Sequence, residues 1–122
     1  MERIEEFTSH GKNFIYIDAS GIKKNDDFIR IIDSVQQVLK KYPAQSVYTI
    51  INIDDIMFDT ETKEIVAKCF EHNKQYVKYR AIIGADGIKK IIFKDVFKIS
   101  GRKNMQFCWN REQAIEWLLQ QK

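Results

Sequence analysis

The stretch "SVYTIINI", residues 46–53, constrains the fold more than any other part of the chain. It is apolar or β-branched almost throughout and lacks the in–out alternation of a strand with one wet face. Both of its faces must therefore be covered, as in the middle of a largely parallel sheet. The flanks agree. Upstream, Phe28, Ile31, Ile32, Val35, Val38 and Leu39 recur at helical spacing and form one apolar stripe. Each such side chain gains about 1.5–3 kcal/mol on burial, so the helix must lie on a sheet. Asn25 is placed to cap it, with Asp26 and Asp27 at the positive end of its dipole, Lys40 and Lys41 at the negative end, and Pro43 beyond.

The remaining segments extend the pattern. "RIEEF" and "NFIYIDAS" are strand-like and are separated by "TSHGK", whose Gly11 suits a hairpin. A second helix runs from about Thr60 to Asn73 with Asp59 as its cap, turning Ile65, Val66, Cys69 and Phe70 inward. "YVKYRAIIG" is a further strand, "DGIKKIIFKDVFKIS" a third helix ending at Gly101, and "MQFCW" a short last strand. Asn110 and Gln113 make a capping-box pattern for a final helix with Ala114, Ile115, Leu118 and Leu119 inside. The order β-β-α-β-α-β-α-β-α predicts an α/β fold: a mixed, mostly parallel sheet with helices packed against it and one antiparallel edge strand from the opening hairpin. No linker, repeat or low-complexity tract divides the 122 residues, so one domain over 1–122 is expected.

With 44% hydrophobic and 30% charged residues, the chain has the make-up of a soluble globular protein. No apolar run reaches the length of a membrane span, and "MERIEEF" lacks the apolar segment of a signal peptide. Cys69 and Cys108 make no metal-ligand spacing with His10 or His72 and read as free thiols, so a cytoplasmic protein is expected. A net charge of +3 is too small to argue for nucleic acid, and no nucleic-acid motif is present.

The chain resembles a STAS-like domain, more narrowly the SpoIIAA-like group of small bacterial proteins, which includes anti-sigma factor antagonists and has been grouped with SEC14-like lipid carriers. The resemblance is carried by "FIYIDASG", "NIDDIMFD", "YVKYRAIIGADGIKKII" and "FKISGRKNMQFCWNREQAIEWL", which together span most of the sequence. It implies a non-catalytic regulatory module that works through protein–protein contact. In the antagonists a loop after a central strand carries a phosphorylatable Ser at a helix N-terminus. The matching place here reads Asn52-Ile53-Asp54-Asp55-Ile56, with Asp54 and Asp55 where the Ser would stand, so such a switch is not expected.

The residues themselves allow three functions. Asp54, Asp55 and Asp59, with Asp18 and Asp86 at other strand ends, invite an acidic phosphotransfer centre, but Asp-x-Asp-x-Thr spacing is missing. This reading ranks last, behind a strand-exit turn at Asp54 and Asp55 and a helix cap at Asp59. Ser20 lacks a nucleophile elbow, "GADGIKK" lacks phosphate-loop spacing, and Cys69 falls on an inner helical face. No catalytic, cofactor-binding or metal-ligating residue is assigned. The third helix is the candidate surface. Ile88, Ile92, Val96 and Ile99 point toward the sheet, Phe93 and Phe97 flank them, and Lys90, Lys94 and Lys98 stack at i, i+4, i+8 with Arg102 beyond. Lys90, Phe93, Lys94, Phe97, Lys98 and Arg102 are thus the expected contact set for an unknown protein partner. The alternative is a lipid or acidic small ligand, entering a pocket between this helix and the sheet by a basic mouth. A homodimer is left open.

Overall fold

The computed structural model describes residues 3–100 and 104–121, apart from the side chains of 88 and 96–100. Five strands form one sheet: β1 Ile4–Ser9, β2 Lys12–Asp18, β3 Val47–Asn52, β4 Val77–Ile83 and β5 Met105–Cys108. Helices α1 Asn25–Leu39, α2 Thr60–Asn73, α3 Gly87–Ser100 and α4 Arg111–Leu119 alternate with the strands from β2 onward. The element order is the one that the hydrophobic periodicities predict. A two-residue turn joins β1 to β2 with His10 (φ 52°) and Gly11 (φ 77°) both left-handed, the twist that suits a tight hairpin.

The strands lie in sequential order, β1-β2-β3-β4-β5, antiparallel for the first pair and parallel for the rest. Successive right-handed crossovers that step one strand at a time in one direction put their helices on the same face. Accordingly α1, α2 and α3 share one layer, where Phe28, Ile31, Ile32, Val35, Val66, Phe70 and Phe93 meet Ile15, Ile17, Val47 and Ile82. The opposite face holds Phe14, Tyr48, Ile50, Ala81 and Ile83 under Ala114 and Leu118 of α4. β3 is thus buried on both sides, with Val47, Tyr48, Thr49 and Ile50 all in the interior.

An aromatic row crosses the α4 face in register. Phe7 pairs with Phe14, Phe14 with Tyr48 and Tyr48 with Tyr79, at ring-centre separations of 5.1, 5.7 and 6.0 Å. Such contacts add about 0.5–1.5 kcal/mol each beyond burial. Trp117 of α4 meets Tyr79 edge-on at 6.1 Å. Lys12 stands over Tyr48 and donates to the carbonyls of Leu118, Leu119 and Gln121, tying the end of α4 to the start of β2.

Two helix details differ from the sequence reading. Lys24, not Asn25, is the N-cap of α1 and makes no side-chain capping bond; the Asn25 amide instead reaches Asp59 and Thr62 at the start of α2. In α3 the buried face centres on Phe93, which is 0% exposed and packs on Phe58 and Phe70, whereas Ile92 is only half-buried. The expectation of Phe93 as a surface anchor is therefore corrected. Rows 88-92-96 and 93-97 lie side by side on the helix, and the ring of Phe93 fills the seat that Phe58 and Phe70 offer. Phe93→Ala should cost about 3–5 kcal/mol in urea denaturation, the loss of a fully buried ring; an exposed anchor would cost under about 0.5 kcal/mol.

Candidate functional site

In parallel α/β sheets, ligands are held at the carboxyl ends of the strands, in the crevice where the strand order reverses. Here the order never reverses, and the loops at that edge are laced by main-chain bonds. Ala19 N–H donates to Asn52 C=O, Gly21 N–H to Asp54 C=O, Ile53 N–H to Ile83 C=O and Met57 N–H to Ile22 C=O, all within 2.8–2.9 Å. Gly84, at φ 84°, completes the seal: a Cβ there would stand 2.6 Å from the Asp54 amide nitrogen.

Three carboxylates of this edge, those of Asp18, Asp55 and Asp59, are occupied. Asp18 Oδ1 accepts from the amide and hydroxyl of Ser20. Asp55, in the left-handed region at φ 57°, takes Lys23 Nζ at 2.8 Å, and that hydrogen bond, with the fields of Lys23 and Lys89, lowers its pKa. Asp59 caps α2 by accepting from Thr62 N–H, and this backbone bond, with the Thr62 and Asn25 side chains, lowers its pKa. Among the described residues no three His, Cys, Asp or Glu side chains stand together as a metal site. Asp54 and Asp55 form a turn, and Asp55 has a paired charge.

The α3 surface offers more. Lys90 and Lys94 are exposed on one side of the helix, one turn apart, and neither makes an ion pair among the described residues. Ile91 beside them is 63% exposed. Lys90 Nζ lies 5.4 Å from the centre of the Phe107 ring in β5, which places the basic row along the sheet's outer edge. The side chains of Phe97 and Lys98 and the whole of Arg102 lie outside the described residues. Trp109, just past β5, is 87% exposed. Gln113 Oε1 accepts the Trp109 N–H at 2.6 Å and fixes the backbone at the entry to α4.

A ligand pocket was expected between α3 and the sheet. The closed voids found among the described residues lie under α1 and α2, the smaller also touching Phe93 of α3, and measure about 30 and 20 Å³. That is one water's share of space, against the roughly 300–1,000 Å³ of ligand pockets. The larger is bordered by Thr49, Cys69, Asn73 and Arg80 among apolar side chains.

No family model matches the chain, and no curated protein matches it in sequence. Among solved structures it is similar to an uncharacterized protein of the DUF3478 family with a SpoIIAA-like fold from Shewanella loihica PV-4. The TM-score is 0.71 at 14% identity over 94% of this chain and 91% of that one. The chain has a SpoIIAA-like fold, as the sequence resemblance implied.

The sealed edge makes a stability prediction. Gly21 also has a left-handed backbone (φ 75°), but a Cβ there meets nothing within 4 Å. Gly21→Ala should cost only backbone strain, about 1–2 kcal/mol. Gly84→Ala adds a steric push on the Asp54 backbone and should cost about 1–3 kcal/mol more, read from paired chemical denaturations. The two thiols should also separate. Burial pushes Cys69 up to about 11, leaving roughly a thousandth as thiolate at pH 8, while Cys108 is half-buried and less strongly raised. Iodoacetamide on the native protein should mark Cys108 well before Cys69, as peptide mass spectrometry would register.

Proposed function

We propose that this chain is a non-catalytic, STAS-like regulatory module of the cytoplasm that works by docking a partner protein on the exposed side of α3. One observation carries the reading: a Lys90–Lys94 row without ion pairs among the described residues, with Ile91 exposed between the two lysines in sequence, on a helix whose other side is anchored in the core by Phe93. Cations around an exposed aliphatic side chain are the make-up of an interface with an acidic rim, where opposite charge sets encounter rate and selectivity. A lone solvated helix gains nothing from like charges at i, i+4, which repel by a few tenths of a kcal/mol.

Several features support binding over catalysis. The carboxyl-edge loops are bonded to one another, and Asp18, Asp55 and Asp59 are engaged in a turn, the Lys23–Asp55 pair and a helix cap. By the family resemblance Asp54 and Asp55 take the place of the antagonists' phosphorylated Ser, so control by phosphorylation at that loop forms no part of the proposal. No helix among the described residues is long and apolar enough to cross a membrane. The lipid-carrier alternative would need a closed void about ten times larger than those under α1 and α2, and the groove of about 470 Å³ between β1 and α1 is open to solvent and has no lining residue from α3.

The test is paired affinity purification from the source cell. Lys90→Glu/Lys94→Glu should lower recovery of the specific partner at least tenfold. Lys40→Glu/Lys68→Glu, which changes charge equally at exposed sites just past α1 and on α2, should leave it unchanged. Equal recovery by both variants would end the proposal. Charge-dependent binding of anionic vesicles, with no protein partner, would move the reading to lipid.

A further inference from the structure

We infer that the partner contributes an extended, alternately acidic segment that adds to the sheet as a sixth strand alongside β5. This deepens the docking role proposed for α3 and rests on it.

The edge itself comes first. Arg80 N–H donates to Asn104 C=O at 3.1 Å, and Arg80 lies opposite Met105 in a parallel pair. The bonding pattern of parallel strands then directs the amide groups of Gln106 and Cys108 toward β4 and those of Met105 and Phe107 away from it. β5 is last in the strand order, so Met105 and Phe107 present two N–H and two C=O groups outward, with no strand paired to them among the described residues. Such an edge is a template for another strand unless it is guarded. β1 at the other edge carries Glu5 and Glu6, engaged by Arg111 and by Lys41 and Tyr42. β5, reading Met-Gln-Phe-Cys, has neither a charge nor a proline.

The flank decides what fits. Lys90 stands over Phe107, and Lys94 is one turn further along the same side of α3. Residues i and i+4 of a helix are separated by about 6 Å along its axis, and alternate side chains of a strand by about 7 Å. Every second side chain of a strand added at β5 would thus come up beside the lysine row at nearly matching intervals. Carboxylates at those positions find their counter-charges. Lysines there would be repelled. A second copy pairing β5 to β5 about a two-fold axis normal to the sheet would bring two α3 lysine rows together, which argues for an acidic partner over self-association. Trp109, open to solvent at the end of the strand, supplies an apolar platform for the segment's terminus.

Fluorescence polarisation with labelled synthetic peptides tests this. A ten-residue peptide alternating Glu and Val should bind the full chain. Its Lys–Val counterpart should bind at least tenfold more weakly. Methylating alternate peptide amides, in both possible frames, should cost at least tenfold in the frame that faces β5. Met105→Pro removes only an outward N–H from the edge and should lose binding by a similar factor with an unchanged circular dichroism spectrum; if it fails to fold, the methylated peptides decide the matter. If no Glu–Val binding is measurable, or both methylated peptides and Met105→Pro bind as well as the parents, strand addition is overturned. In the latter case a continuing loss with Lys90→Glu/Lys94→Glu would leave α3 docking intact without strand pairing. Self-association of the chain in ultracentrifugation that Met105→Pro abolishes would assign the edge to a second copy and overturn the acidic-partner inference.

Discussion

Everything in this molecule follows from strands that are laid down in the order in which they are made. Because the sheet grows one strand at a time in one direction, three crossover helices must crowd onto one face. The remaining described helix, α4, follows β5 and packs on the other face. The same rule leaves β5 paired on one side only among the described residues.

That geometry moves the opportunity for binding away from where an α/β sheet offers it to a small molecule. A reversal in strand order would part the loops; here they are stitched instead, and Gly84 lets two of them come so close that no side chain fits between. On the flank, the sheet edge, the lysines of α3 and an exposed indole run together. A flank of this kind suits a macromolecular partner, whose recognition draws on backbone pairing and charge and needs no enclosed cavity.

Much of this could be read from residues alone. The stripe of α1 and the unbroken run of β3 are local signals with strong physical causes, and Asp59 caps α2 as its position before Thr60 implies. What misled were choices between neighbours. Asn25 has the chemistry of a cap but stands within reach of Asp59 and Thr62, over thirty residues on, and bonds there. Phe93 and Ile92 lie on adjacent rows of one helix, and only the rings of Phe58 and Phe70 decide which of them goes in. Lys90 and Lys94 were legible as an exposed row from their spacing. The place of β5 at the end of the described strand order was not, because being an edge is a property of strand order, which a single chain's periodicity does not encode.

The bond from Lys12 to the end of α4 joins residues more than a hundred positions apart. α4 is short and shields an aromatic row that runs across four strands, so its attachment governs whether those rings meet water. Lys12 sits beside the first hairpin turn and shares this attachment with Arg111, which pairs with Glu5 and stands over Phe7 and Tyr16. Two cations far apart in the chain thus keep a greasy sheet surface covered.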